Sequence, residues 1–156
     1  MPVAELPYFT SRWDTPHTPA KSLPVDPPYF LFVGRLEKMK GLRLACVTNK
    51  SARYTLPLLD MLGLARCFEQ VVSGDTLPRK KPDPAPLLHA AANFGIAPHE
   101  MLMIGDSLND TQAARAAGCP VICVTYGYNE GHDVSTLDAD ALVETLDAAA
   151  GLVRKA

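Results

Sequence analysis

The sequence predicts an α/β protein built on a doubly wound, Rossmann-like parallel sheet, and three observations carry that expectation. Short apolar runs of strand length alternate with amphipathic stretches of helix length. Gly63, Gly95 and Gly118 close three of those helical stretches in turn. Met101-Leu-Met-Ile-Gly-Asp-Ser-Leu-Asn-Asp110 is apolar up to a glycine and then presents two aspartates, the pattern of a strand covered on both faces that empties into a helix start.

In chain order, residues 1–28 read as an irregular Pro-rich arm. Half of the 14 prolines lie there, and they break any periodic segment. Tyr8, Phe9 and Trp13 give the arm apolar anchors, but it has no core of its own, and Ser11, Arg12, Asp14 and His17 have no strand or helix to fix their geometry. The second unit is expected over 29–156. It begins with the aromatic run Tyr29-Phe-Leu-Phe-Val33, a buried-strand signal closed by Gly34, and a brief helical turn is expected over Leu36 to Lys40. Leu44 to Val47 reads as the next strand, followed by a helix from about Ser51 to Leu62 that Pro57 either kinks or restricts to Leu56 onward. Val71-Val72 is a short strand ending at Ser73-Gly-Asp75, and Leu77 to Lys81 is a polar connector. Asp83 is suited to cap a helix with Pro84 at its first position and Leu87, Leu88, Ala91 and Ala92 on its apolar face. After the Met101 strand, Ser107 or Asn109 caps a helix running to Ala117. Val121 to Thr125 is a further buried strand with the loop Tyr126 to Gly131 behind it, and Ala141 to Val143 is a last short strand before a C-terminal helix.

Composition narrows the function classes. With 156 residues, 47% hydrophobic and 21% charged, the chain is ordinary for one globular domain. A net charge of -2 and a pI near 6.0 leave no electrostatic footprint for nucleic acid or for an anionic membrane surface, so neither partner is expected. Apolar runs stop at strand length and no basic-then-apolar leader opens the chain, which predicts a cytoplasmic protein. Cys46, Cys67, Cys119 and Cys123 sit in or beside apolar segments, as core thiols do, and Cys119 and Cys123 do not have a zinc spacing.

The chemistry gathers behind the strands. Thr48-Asn49-Lys50 follows one, Asp106 and Asp110 follow another, and Lys81 precedes the helix between them. In open α/β sheets, ligands bind outside the carboxyl ends of the strands. A threonine hydroxyl and free backbone N–H groups ahead of a helix can cradle phosphate oxygens, a lysine can neutralise their charge, and carboxylates can hold Mg²⁺. Each residue also has a structural use: Thr48 and Asn49 as caps, Lys81 as a solvated charge, Asp106 in a turn and Asp110 against a helix dipole.

Val47-Thr-Asn-Lys50, Arg79-Lys-Lys-Pro-Asp-Pro84 and Ile104-Gly-Asp-Ser-Leu-Asn-Asp110 resemble motifs II, III and IV of the haloacid dehalogenase superfamily, particularly its phosphoglycolate phosphatases. The likeness covers about residues 42–150, and Gly127-Tyr-Asn-Glu-Gly131 is similar to the phosphatase pattern at the corresponding place. The resemblance implies a truncated core of that superfamily's fold and Mg²⁺-dependent hydrolysis of a small phosphorylated metabolite such as 2-phosphoglycolate. It further implies that Thr48 and the Asn49 amide bind the phosphoryl group, that Lys81 stabilises its charge, that Asp106 ligates Mg²⁺ and that Asp110 supports the metal or its waters.

Two parts of the family pattern are missing. Motif I, an Asp-x-Asp-x-Thr signature after an apolar strand that supplies nucleophile and general acid/base, has no counterpart, because Tyr29 to Val33 runs into Gly34-Arg35. The cap domain between motifs I and II is absent too. Pro7-Tyr-Phe-Thr-Ser-Arg-Trp13 and Tyr29-Phe-Leu-Phe-Val-Gly-Arg-Leu-Glu-Lys-Met-Lys-Gly41 instead resemble a fragment of a retaining glycosyltransferase, and Leu36 to Leu42 could belong to either family, which predicts a junction between unrelated segments there, at the end of the 29–42 stretch. Two functions follow as expectations: a phosphatase inactive as this chain alone unless another chain brings a nucleophile, or a non-catalytic remnant that binds phosphate or Mg²⁺. In the superfamily the motif I strand lies between the motif II and motif IV strands, and its loss would leave a hole in the sheet. Tyr29 to Val33 is expected to fill it and to bring Gly34-Arg35 to the place of the nucleophile.

Overall fold

The computed structural model describes residues 42–127 and 133–153, together with the backbone of 29–31. Six strands form one sheet: β1 (Tyr29–Leu31), β2 (Arg43–Val47), β3 (Gln70–Val72), β4 (Met101–Gly105), β5 (Val121–Val124) and β6 (Ala141–Val143). Their order across the sheet is β3-β2-β1-β4-β5-β6, and every pairing is parallel. Four helices connect or follow them: α1 (Ala52–Met61), α2 (Ala85–Phe94), α3 (Leu108–Ala117) and α4 (Leu146–Leu152).

The expected filler of the central gap is in place. β1 lies between β2 and β4, with Phe30 level with Leu44 on one side and Leu102 on the other. Without it, β2 and β4 would each present a row of unpaired backbone groups in the middle of the sheet. The crossover to β2 runs through 32–42, about the dozen residues a parallel connection needs. Leu31, level with Ala45 and Met103, is the last described residue of this strand, so the expected position of Gly34-Arg35 falls outside the described residues. The arm 1–28, the turn at Leu36 to Lys40 and residues 128–132 of the loop after Tyr126 also fall outside them.

The sheet is buried on both faces, as doubly wound sheets are. Alternate residues of β2, β4 and β5 feed two apolar layers. Ala45, Val47, Met101, Met103, Val121 and Cys123 pack with residues of α2 and α3. Leu44, Cys46, Leu102, Ile104, Ile122 and Val124 pack in a second layer with Leu59 of α1 and Ala149 and Leu152 of α4. Three of the four cysteines are buried, Cys67 is half-buried, and all are free thiols, as their apolar settings imply. Burial pushes the Cys119 and Cys123 thiols up to about 12.

Three details differ from the sequence expectation. Pro57 neither shortens α1 nor delays it, since the helix starts at Ala52 with Pro57 inside. The hydrogen bond lost there lies on a helix whose outer side is solvent-exposed, with only Thr55 and Leu59 buried. The buried face of α2 is Pro86, Leu87, Ala90, Ala91 and Phe94, while Leu88 and Ala92 are exposed, a rotation set by packing on α3 and β2 that the apolar pattern alone left open. β5 ends at Val124 and not at Thr125. Before α2 the Asp83 carboxylate accepts from the Ala85 N–H at 2.9 Å, but Pro84 stands at the cap position and the helix begins at Ala85; of the two candidates before α3, Ser107 holds the cap position.

Candidate functional site

The carboxyl ends of β2 and β4 flank β1, and the residues just beyond them face a shared cavity of about 290 Å³. Thr48, Lys81, Asp106 and Asp110 all line it, with Val47, Met103, Ile104, Val124, Tyr126 and Leu146 as its apolar and aromatic wall. The sheet thus brings together four of the five residues singled out from the sequence. The fifth, Asn49, turns its side chain aside, where Nδ2 donates to the Lys81 carbonyl oxygen at 2.8 Å.

Each loop is held by a specific short-range device. Thr48 donates its N–H to the Val72 carbonyl at 2.9 Å, and its Oγ1 accepts from the Lys50 N–H at 3.2 Å, which starts the turn into α1. Gly74 donates to the Lys50 carbonyl at 2.8 Å and lies so close to Asn49 that a Cβ there would overlap the Asn49 carbonyl group. Gly127 approaches Asp106 in the same way, and Gly105 approaches Asp110. At these three positions glycine is required by space.

Lys81 is the buried centre of the site. Its Nζ donates to Asp110 Oδ1 at 2.6 Å and to the Val47 carbonyl at 2.8 Å. The side chains of this ion pair are only 9% and 6% exposed, so both charges are largely withdrawn from bulk water and lean on each other. The other carboxylate oxygen, Oδ2 of Asp110, accepts from the Asp106 N–H at 3.0 Å, the Ser107 N–H at 3.1 Å and Ser107 Oγ at 2.8 Å. The bond from the Ser107 N–H is the Asp110 half of the capping box that opens α3, and the other two tighten the same turn. Burial pushes the Asp110 carboxyl up, but the Lys81 charge and the bonds from Lys81, Asp106 and Ser107 together hold it below the usual carboxylate range. The Tyr126 hydroxyl is pushed up to about 12 by its partial burial and by the Asp106 charge, so it stands at the cavity as a neutral donor.

The fit to Mg²⁺ can be judged from the donors. Mg²⁺ takes about six oxygens in near-octahedral array. Asp106 offers one carboxylate at the cavity, whereas both oxygens of Asp110 already accept from protein donors. Among the described residues no group of three or more acidic, His or Cys side chains is placed to hold a metal ion. The described residues therefore do not make a dedicated Mg²⁺ site.

Sequence patterning did not single out Tyr126, the Val47 carbonyl, or the glycines at 74, 105 and 127 as parts of the site. The glycines had a signal, since each stands in a loop or strand end next to a singled-out polar segment. The Val47 carbonyl had none, because a main-chain acceptor leaves no trace in residue type.

A doubly wound parallel sheet with polar residues gathered beyond the carboxyl ends of its strands is the α/β arrangement that binds ligands at that edge. The family model of the haloacid dehalogenase-like hydrolases matches residues 32–124, and the chain belongs to that family. Its lineage is phosphoglycolate-phosphatase-like. It is 62% identical over 119 residues to the phosphoglycolate phosphatase of Thiobacillus denitrificans, covering 76% of this chain and 52% of that protein. With the phosphoglycolate phosphatase of Nitrosospira multiformis it shares 63% identity over 115 residues, covering 74% and 51%. A crystal structure of a predicted phosphoglycolate phosphatase from Haemophilus somnus superposes with a TM-score of 0.66 at 38% identity, over 69% of this chain and 48% of that one. The chain thus spans about half the length of the curated relatives it matches. Among the described residues no helix is long and apolar enough to cross a membrane.

Proposed function

We propose that this chain carries the phosphate-gripping half of a phosphoglycolate phosphatase-type site and does not turn substrate over by itself. The observation that supports this most is the buried Lys81–Asp110 pair beside Thr48 and Asp106 in one cavity. In this reading the Thr48 hydroxyl and the Asn49 N–H receive phosphoryl oxygens, and Lys81 balances their charge. Asp106 offers its carboxylate to Mg²⁺, which would neutralise phosphoryl charge when bound. Because the described donors are too few for a dedicated site, a bound ion would rely on water for its other ligands. The ligand is a small phosphorylated metabolite, with 2-phosphoglycolate the first candidate.

Hydrolysis of the covalent kind needs a carboxylate that attacks phosphorus, forms an acyl phosphate and releases the alcohol, after which water cleaves the acyl phosphate. From Tyr29 to Leu36, the segment that enters and follows the central strand, no carboxylate occurs. That favours the second reading, a non-catalytic phosphate- or Mg²⁺-binding module left by fusion or truncation. A nucleophile from another chain would restore the first. No activity is proposed for the glycosyltransferase-like stretch at 7–42. Because the family match begins at residue 32, we place any junction near that point.

Calorimetry with inorganic phosphate tests the grip. We expect saturable binding that Thr48→Val and Lys81→Met each abolish, and absence of binding to the wild-type chain would defeat the proposal. Mg²⁺ should bind weakly, and saturation at micromolar Mg²⁺ would contradict the single-carboxylate reading of Asp106.

A further inference from the structure

We infer that Asn49 and Asp110 are positioning residues for Lys81, and that the Asp110 carboxylate is committed to Lys81 and to the start of α3 and not to a metal ion. This deepens the proposed function and rests on its assignment of Lys81 to phosphate charge.

Lysine is a flexible four-carbon stem carrying a point charge, so it acts on a ligand only where its environment fixes it. Here it is fixed at both ends. Its main-chain carbonyl accepts from Asn49 Nδ2 at 2.8 Å, and its ammonium donates to Asp110 Oδ1 and to the Val47 carbonyl. An ammonium has three N–H donors, and among the described residues these two bonds leave one for a ligand in the cavity that Lys81 lines. The Asn49 side chain is committed to this bond at some expense, since its buried Oδ1 has no partner among the described residues.

Asp110 is crowded as an acceptor at Oδ2, and Oδ1 keeps one lone-pair site beside Lys81. A carboxylate has about four lone-pair sites, and Asp110 takes four donors, three of them on Oδ2. A divalent ion on Oδ1 would have to displace, or sit against, the Lys81 ammonium 2.6 Å away. Space is arranged for these two holders as well: Gly74 gives room to Asn49 and Gly105 gives room to Asp110, each at a place where a Cβ would overlap its neighbour.

The test is reductive methylation of the full chain without ligand, read lysine by lysine by peptide mass spectrometry. Lys81 should label more slowly than the exposed Lys50 and Lys80. Asp110→Asn can still turn its amide oxygen to the Asp106 and Ser107 N–H groups while placing its NH₂ against Lys81. Asn49→Ala removes the other hold without touching the ion pair. Asp110→Asn should raise Lys81 labelling about tenfold, the scale of a lost hydrogen bond to a charged group, and Asn49→Ala by roughly fivefold, the scale of a lost neutral one. Neither should alter the Lys50 rate, and Thr145→Ala, which uncaps the distant α4, should leave Lys81 slow. Lys81 labelling as fast as Lys50 in the wild-type chain, or unchanged in both variants, would overturn the inference, as would an Mn²⁺ affinity, from water proton relaxation, that falls in Asp110→Asn. The two proposals fail separately. Slow labelling released by both variants without phosphate binding would retire the phosphate grip and keep the positioning. Phosphate bound equally by wild type and both variants would do the reverse.

Discussion

Helices α1 and α3 follow the two strands that flank β1, and each is preceded by a serine in extended conformation, yet they are started in opposite ways. Ser107 and Asp110 close a capping box within one turn, so α3 carries its own start signal. Ser51 makes no side-chain cap, and the Ala52 N–H at the head of α1 donates to Asp75, a residue beyond β3, at 2.8 Å. The burial follows the same division. α3 buries five residues including Asp110, while α1 buries Thr55 and Leu59 and leaves Tyr54, Leu56 and Met61 exposed. The helix start that carries Asp110 is built locally and packed tightly, and the helix start that would meet phosphate with backbone N–H groups is held from a distance.

Variants at these two helix starts should separate widely. Asp110→Ala leaves a buried ammonium unpaired and three donors without acceptors, and should cost about 3–5 kcal/mol in urea unfolding. The same residue governs acid stability. Its folded-state pKa lies below its ordinary value of 3.8, so its contribution is complete above about pH 4 and is lost as pH falls through the folded-state value. A chain whose stability is flat from neutral pH down to pH 2 would contradict the pairing. Gly105→Ala drives a Cβ into Asp110 and should cost roughly 1–3 kcal/mol, with a shift in Asp106 and Ser107 amide resonances. Asp75→Ala removes only the borrowed cap of α1 and should cost about 1 kcal/mol, visible as faster hydrogen exchange at Ala52 with α3 unaffected. Equal costs for Asp75→Ala and Asp110→Ala would erase the contrast between the two helix starts.

The same contrast explains what was legible in the sequence. Strand and helix order, the Ser107 start and the Gly95 and Gly118 stops follow from periodicity and local turn chemistry, whereas the place of β1 between β2 and β4 was legible only through the family resemblance and the gap it implies. The gathering of Thr48, Lys81, Asp106 and Asp110 was legible because strand ends share one edge. The partner each side chain takes was not. Asp110 could have faced solvent, a metal or a cation, and its choice of Lys81 depends on a fold that joins residues 29 positions apart. Asn49 likewise spends its side chain on a carbonyl 32 positions away, and Asp75 reaches 23 positions back to α1. The rotation of α2 that exposes Leu88 was settled by its packing on α3, which helical spacing does not encode.

The central claim is a grip on phosphate without an attacking group. It is tested most directly by incubating the purified chain with 2-phosphoglycolate and Mg²⁺, following phosphate release and covalent phosphoprotein together. The account predicts neither product above the uncatalysed background. Phosphate release that disappears in Asp106→Asn would contradict it and would mean that a nucleophile reaches the site.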